Sequence, residues 1–271
     1  MDHLCSFPPE YLDMDCRRIA VSIIVPCFNE EDGLFRLREK LESAELLLRR
    51  EYAVHFIIVD DGSTDGTWDV LSRLFGRDPN VDLVRHPRNL GIGGAILTGV
   101  RRAMTEIVCS MDSDCTYDPA DLVQMIPLLK PGVDLVTASP YHPQGEVEFV
   151  PAWRLMLSRT ASLLYRIVLK QKLYTYTSCF RVYRRSSILG LKLGQSGFLA
   201  VAELLAKLDL QDSMIVEHPA KLTSRIHGAS KMKTAKVLLG HLQLLGELIV
   251  ARIKQSSTIT PQWISARPGD L

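Results

Sequence analysis

The sequence contains no CxxC pair, no paired cysteine spacing and no uninterrupted apolar run long enough to cross a bilayer. Its six cysteines, Cys5, Cys16, Cys27, Cys109, Cys115 and Cys179, are scattered along the chain. That pattern argues against a disulfide framework or a zinc site and for reduced thiols in a cytoplasmic protein. A transmembrane helix needs about 18 consecutive apolar residues. The nearest approach, Val237 to Ile253, is interrupted by His241, Gln243 and Glu247. The stretch up to Arg18 carries Asp2, Glu10, Asp13 and Asp15 and lacks the basic-then-apolar order of a signal peptide. No charge of either sign is in excess: Lys and Arg number 32, Asp and Glu 31, for a net charge of +1. No global field therefore draws the chain to nucleic acid. Internal repeats and low-complexity tracts are also missing. What is present is an ordinary globular balance, 46% hydrophobic and 23% charged, over 271 residues. That length suits one large α/β domain or two small ones.

The first half alternates short β-branched runs with amphipathic stretches. Ile19–Val25, Val54–Val59, Val81–Arg85, Ile107–Ser110 and Val133–Ala138 read as strands, with helices between them. Such alternation implies an α/β fold with a parallel sheet and right-handed crossovers. Polar residues gather where the strands stop. Cys27-Phe28-Asn29-Glu30-Glu31-Asp32-Gly33 follows the first strand, with Asn29 or Asp32 placed to cap a helix running to about Arg50. Asp60-Asp61-Gly62-Ser63-Thr64-Asp65 follows the second, and Asp65 is placed to cap a helix to about Phe75. Asn89-Leu90-Gly91-Ile92-Gly93-Gly94-Ala95 follows the third and opens a helix to about Met104. Glycines there let backbone N–H groups approach a phosphate. The third glycine is displaced from the dinucleotide fingerprint, which weighs against a nicotinamide cofactor.

The fourth strand ends Ser110-Met111-Asp112-Ser113-Asp114. In a strand, residues i and i+2 share a face, so Asp112 and Asp114 are expected to point together. Ligands of open α/β sheets bind at this carboxyl end. Two hard oxygen donors suit Mg²⁺ or Mn²⁺ held between protein and a diphosphate. A polar turn, with Asp114 capping a helix over Pro119–Leu129, explains the same residues without a ligand.

After Ser139 the texture changes. Trp153–Lys170 reads as a helix mixing apolar residues with Arg154, Arg159 and Arg166. Ser178–Tyr183 reads as a strand carrying Arg181, and Gly197–Leu208 as a helix carrying Glu203. Met214–Glu217 and Leu222–Ile226 read as a final strand pair. His227-Gly228-Ala229-Ser230-Lys231 is a basic glycine-containing loop. Lys236, Gln243, Glu247 and Lys254 lie along one face of the last helix, which is amphipathic. It covers a core, a partner or a membrane surface.

Val-Pro-Cys-Phe-Asn-Glu-Glu (25–31), Val-Asp-Asp-Gly-Ser-Thr-Asp-Gly-Thr (59–67), Asn-Leu-Gly-Ile-Gly-Gly-Ala (89–95) and Met-Asp-Ser-Asp (111–114) occur in one order. In order and spacing they resemble the family-two glycosyltransferases of GT-A fold, over roughly residues 20 to 235. Trp153-Arg154, Ser158-Arg159, Ser178 to Arg181 and Arg225 to Lys231 are similar to the polyprenol-phosphate (dolichol-phosphate) mannosyltransferase branch. The resemblance implies a Rossmann-like, mostly parallel mixed sheet flanked by helices, in a single domain with a C-terminal acceptor-side subregion. The organisation is then a tail over 1–18, a nucleotide-sugar half over 19–140 and an acceptor half over 141–231. An amphipathic helix over 232–254 and a tail over 255–271 complete it.

By the same resemblance, Pro26, Asn29, Glu30, Asp60, Asp61 and Asp112 hold the nucleotide, and Asp112 and Asp114 hold its diphosphate through Mg²⁺ or Mn²⁺. Arg154, Arg159 and Arg181 meet an acceptor phosphate. Asp112, Asp114, Arg159, Arg225 and Lys231 form the catalytic set. Thr116 stands where relatives often carry a metal-binding Gln, and Ile92 where many carry Lys. The implied reaction is inverting transfer of mannose or glucose from GDP-mannose or UDP-glucose to polyprenyl phosphate. The enzyme would be cytoplasmic, peripheral on a membrane surface or held there by an anchoring partner. A phosphate acceptor is already anionic and needs positioning by arginines. A hydroxyl acceptor needs a general base. Glu203 is the candidate base; its other reading is a helix carboxylate paired with an arginine. The remaining acids of that half, Glu146, Glu148, Asp209, Asp212 and Glu217, show no catalytic pairing. A sugar-nucleotide-binding protein with little turnover is the second alternative.

Overall fold

The computed structural model describes residues 18–195, 197–224 and 234–258. Seven strands form the main sheet: β1 (Ile19–Cys27), β2 (Tyr52–Asp60), β3 (Val81–Arg85), β4 (Ile107–Ser110), β5 (Leu135–Ser139), β7 (Arg181–Arg184) and β8 (Ile215–Pro219). Their order is β3-β2-β1-β4-β7-β5-β8. Only β7 runs against the rest, wedged antiparallel between β4 and β5. The fold is therefore the mixed, mostly parallel sheet that the motifs imply. Strand β1 is buried along almost its whole length, as a central parallel strand covered on both faces must be.

Helices cover both faces. On one, Val21, Ile23 and Val25 pack with Leu34, Leu37 and Leu41 of α1 (Leu34–Leu48), Leu71 and Phe75 of α2 (Thr67–Phe75), and Leu122 and Met125 of α4 (Leu122–Met125). On the other, Ile24 and Val108 pack with Ile96 and Val100 of α3 (Ile92–Arg102), Tyr165 of α5 (Ala152–Val168), Leu204 of α7 (Phe198–Leu210) and Leu245 of α8 (Thr234–Thr258). A short α6 (Arg185–Ile188) follows β7.

Three expectations change. Pro119–Leu129 is not one helix but 3₁₀ turns flanking the four residues of α4, because Pro127 has no N–H to continue the ladder. The final strands do not pair with each other: β8 joins β5 in the main sheet, while β9 (Lys221–Leu222) pairs with β6 (Glu146–Val147) in a separate two-stranded sheet. Neither Asn29 nor Asp32 caps α1, which is entered through a 3₁₀ turn at Glu31–Gly33 with no side-chain cap.

The glycines of α3 serve packing. A Cβ on Gly93 would lie 2.3 Å from Ala200 Cβ of α7, and one on Gly99 2.5 Å from Ile24 Cγ2 of β1. Gly93→Ala gains about 0.5–1 kcal/mol of helix propensity but forces α7 away, at an overpacking cost of about 1–3 kcal/mol. Net destabilisation in urea titration is the expected result. A variant more stable than the parent would show that α7 gives way freely.

Candidate active site

The loops after β1 and β2 are stitched together at the carboxyl edge of the sheet. Asn29 N–H donates to Ser63 Oγ at 2.9 Å, and Thr64 N–H donates to Asn29 Oδ1 at 2.8 Å. Glu30 N–H donates to Thr67 Oγ1, and Gly66 N–H to Glu31. Asn29 takes a positive φ of 53° to make this turn, which asparagine tolerates better than most residues. Asp65 accepts from Thr67 N–H at the start of α2, as expected. Pro26, Asn29, Glu30, Asp60 and Asp61 thus share one edge, with Pro26 inside β1.

Asp61 has a different task from the one expected. It is 2% exposed. Its Oδ1 lies 2.7 Å from His86 Nδ1 and accepts from Leu90 N–H, while Oδ2 accepts from Gly91 N–H. The other ring nitrogen of His86, Nε2, lies 3.0 Å from Thr98 Oγ1. Asp61 is therefore a buried hub that ties the tips of β2 and β3 to the start of α3. Asp60 is fully buried; its Oδ1 accepts from Ser63 N–H. Its Oδ2 lies 3.2 Å from Arg85 Nε without the alignment of a hydrogen bond. Arg85 also stands over the Trp68 ring at 5.3 Å. An open depression of about 430 Å³ lies here, lined by Gly62, Ser63, Thr64, Arg85, His86 and Pro87. Arg85 and His86 belong to none of the family motifs. Their place at the carboxyl end of β3 was the signal that could have found them.

Asp112 and Asp114 lie beyond the end of β4 at Ser110. Strand alternation does not orient them; a turn does, with Cys115 at a φ of 52°. Asp114 Oδ1 accepts from Thr116 N–H at 3.1 Å, whereas the cap at Pro119 comes from Asp118. The Thr116 carbonyl in turn accepts from the Thr223 N–H and hydroxyl, tying the chain after β9 to this turn. Both carboxylates are half-buried. Asp112 stands beside Cys179, whose thiol is pushed up first by burial and then by that charge. Burial likewise raises the thiols of Cys27 and Cys109, and Cys115 up to about 12. All four are free, protonated and buried, and hence inert.

The acceptor-side residues divide sharply. Tyr141, in the loop after β5, lies under Arg159 at 5.3 Å from ring centroid to guanidinium carbon. Ser158 and Arg154 are among its surroundings; Ser158 Oγ lies 3.1 Å from Thr177 Oγ1. Tyr117 joins this cluster to the carboxylates: its environment includes both Tyr141 and Asp112, and it stacks on Phe180 at 5.5 Å. Arg181 does not belong here. It is fully buried, its guanidinium donating to the carbonyls of Val201 and Tyr176, so it does not present itself to an acceptor. The reason is register: Arg181 sits opposite Ser110 and Thr137 in mid-sheet. Arg225 and Lys231 lie outside the described residues.

Every acid noted in this half has a structural partner. Glu146 and Glu148 pair with Lys221. Asp209 accepts from Lys170 and Gln171 N–H groups, Asp212 from Lys170 Nζ, and Glu217 from Tyr174 and Thr175 N–H groups. Glu203, 3% exposed, accepts from Gly194 and Gln195 N–H groups and pairs with Lys207 at 2.7 Å, not with an arginine. Glu203→Gln is therefore expected to leave turnover within roughly twofold, where loss of a general base costs on the order of a hundredfold or more. Steady-state kinetics would check this.

A family model described as "Glycosyl transferase family 2" matches residues 22–190. The chain is 29% identical over 231 residues to a dolichol-phosphate mannosyltransferase of Pyrococcus furiosus, the match covering 84% of this chain and 63% of that protein. It thus spans less than two thirds of that relative's length. It is 30% identical over 223 residues to a polyprenol monophosphomannose synthase of Mycolicibacterium smegmatis, covering 79% of this chain and 82% of the relative. A mannosyltransferase from Pyrobaculum calidifontis, solved in complex with GDP-Man and Mn²⁺, superposes with a TM-score of 0.60 at 19% identity, covering 92% of this chain and 68% of that one. At that identity the likeness is one of fold.

Proposed function

The chain belongs to glycosyl transferase family 2, and from that premise we propose that it transfers a hexose, with inversion, from a nucleotide-diphosphate sugar to polyprenyl phosphate. The observation that carries the acceptor class is the contrast just described. The acids beside the acceptor cluster all hold structure, while Arg154 and Arg159 make no ion pair among the described residues. Among the described residues these acids leave no free carboxylate to act as base for a hydroxyl, and the arginines offer planar cationic donors to an anion. A phosphate monoester needs orientation, not deprotonation.

The nucleotide fits the edge formed by Pro26, Asn29, Glu30 and the depression beside Asp60, with the diphosphate toward Asp112 and Asp114. Two carboxylates suit Mg²⁺ or Mn²⁺, ions that keep several waters and complete their shell from substrate phosphates. Among the described residues no group of three His, Cys, Asp or Glu side chains forms a cage, which matches that open kind of site. When bound, the ion neutralises charge growing on the departing diphosphate. Arg154 and Arg159 hold the acceptor phosphate in line with the sugar. Arg225 and Lys231 are proposed to add charge at the leaving group. GDP-mannose and UDP-glucose both remain donors to test; the mannosyl relatives favour the first.

The acceptor's isoprenoid tail requires a lipid surface, and two helices offer one. On α5, Trp153, Met156, Leu163 and Ile167 are exposed along one face; on α8, Leu239, Leu242, Val250 and Ile253 are exposed. Tyr165 and His241 bind the two helices together at 2.8 Å. The apolar face of α5 lies on the helix that carries Arg154 and Arg159, so docking on lipid would bring the cluster to the headgroups. No helix among the described residues is long and apolar enough to cross a membrane. The polar residues of α8 form a separate stripe, with Gln243 bonded to Glu247. Vesicles of anionic lipid should float the protein, and charged replacements at Met156 and Ile167 should leave it at the bottom of the gradient. Flotation unaffected by both replacements would move the contact elsewhere.

The decisive assay is transfer from labelled GDP-mannose and UDP-glucose, in parallel, to a short polyprenyl phosphate, with Mn²⁺ and with chelator. A mild-acid-labile, alkali-stable lipid product is expected from one donor. Donor hydrolysis without lipid product would move the acceptor to another class. Donor binding without turnover would favour the binding-protein alternative.

A further inference from the structure

We infer that Tyr141 is the positioning residue that presents Arg159 to the anionic acceptor. The inference rests on the reading that Arg154 and Arg159 meet the acceptor phosphate. Arg159 is exposed, and an exposed arginine samples many rotamers, at a cost of about 2 kcal/mol to order. A carboxylate partner would order it but would consume the N–H fork that a phosphate needs. Stacking solves this differently. The half-buried Tyr141 ring lies under the guanidinium at 5.3 Å, attracting its charge through the ring face without using its N–H donors.

The ring is itself held. It is half-buried, its phenol is pushed up by that burial, and Ser158 is among the groups around it. Ser158 is in turn braced against Thr177, just before β7. Arg154, one turn earlier on α5, adds its charge to the same ring's surroundings. Tyr141 also follows β5, the strand whose carboxyl end closes the nucleotide half. It therefore couples the position of Arg159 to the sheet edge where the sugar diphosphate is proposed to lie. The sequence reading assigned Tyr141 no role, because the stacking partner is eighteen residues away on another element.

The test is equilibrium binding of geranyl phosphate, alongside transfer kinetics, for the parent and for Tyr141→Leu, Tyr141→Phe and Arg159→Lys. Tyr141→Leu, which removes the ring, should weaken binding about fivefold and raise the acceptor KM in parallel. It should leave kcat and the donor KM within about twofold, a split that general loosening of the fold would not give. Tyr141→Phe keeps the stack and should rescue binding to near the parent value. Arg159→Lys keeps the charge but loses the fork that itself meets the phosphate, and should weaken acceptor binding at least as much as Tyr141→Leu; Tyr141→Met, which also removes the ring, serves if Tyr141→Leu does not fold. Unchanged acceptor binding in Tyr141→Leu, an equal loss of donor affinity, or a Tyr141→Phe variant as weak as Tyr141→Leu would each overturn the inference. So would a parent protein that does not bind geranyl phosphate. A parent that binds it and transfers no sugar would remove the proposed reaction while leaving the positioning role standing.

Discussion

Asp114→Ala should lower metal-dependent sugar transfer by roughly a thousandfold or more, the scale of losing a preorganised electrostatic contact to a developing anion. Asp112 and Asp114 are the two carboxylates of the turn after β4, so removing one halves the negative charge available to a divalent ion. Structure and charge can be separated here, because Asp114 Oδ1 also accepts from Thr116 N–H. Asparagine keeps that acceptor and loses the charge. Asp114→Asn should therefore melt close to the parent, within about 0.5 kcal/mol, while transferring as poorly as the alanine variant. Alanine should lose about 1 kcal/mol of stability in addition. Mn²⁺ titrations of donor binding and of turnover, run on both variants, would check the pair. An asparagine variant with parental turnover at the same Mn²⁺ concentration would show that Asp114 acts only as a turn former. Chelation of the parent protein should reproduce the catalytic loss without changing its melting temperature by as much.

Asp61→Ala should have the largest effect on stability, about 3–5 kcal/mol. One buried carboxylate there serves His86 Nδ1, Leu90 N–H and Gly91 N–H. Its removal leaves His86 Nδ1 and Leu90 N–H without this acceptor, while Gly91 N–H keeps Asn89 Oδ1 at 3.0 Å, and each unsatisfied buried group costs on the order of 1–3 kcal/mol. A fall in melting temperature on the order of 10 °C follows for a chain of this size. Donor affinity should fall as well, because the depression lined by Ser63, Thr64, Arg85 and His86 is built on this hub. The two roles weighed for Asp61 predict different outcomes. A direct contact to the base would lose nucleotide affinity with little change in melting; a hub loses both. Thermal melts with and without nucleotide separate them.

Much of this arrangement is legible in the residues themselves. The strand runs Ile19–Val25, Val54–Val59 and Ile107–Ser110 announce their own burial, because a strand covered on both faces must be apolar along its length. Polar clusters after them mark strand ends, since carboxylates and glycines are tolerated where the ladder stops. Order along the chain then implies parallel pairing, and the family motifs fall on the loops that this pairing brings to one edge. The bond from Thr67 N–H to Asp65 just before α2 is of the same kind, a contact between neighbours in sequence, although the cap position itself falls to Gly66.

Where the reading fell short, the deciding partner was remote. Nothing near Arg181 says that β7 will be inserted between β4 and β5, which carries its guanidinium into the core. Glu203 looks like a catalytic acid until α7 brings it against the backbone of Gly194 and Gln195. Gly93 looks like a phosphate-binding glycine until Ala200 arrives 2.3 Å from where its Cβ would be.

The sequence by itself determined most of the strands and longer helices, which strand ends carry polar chemistry, and the family, because these follow from local periodicity and from motifs read in order. Only the tertiary structure decided which of the charged groups are spent on holding the fold and which, like Arg154 and Arg159, make no ion pair among the described residues. The partner that neutralises a buried charge is chosen by packing between distant segments, and no local pattern encodes it.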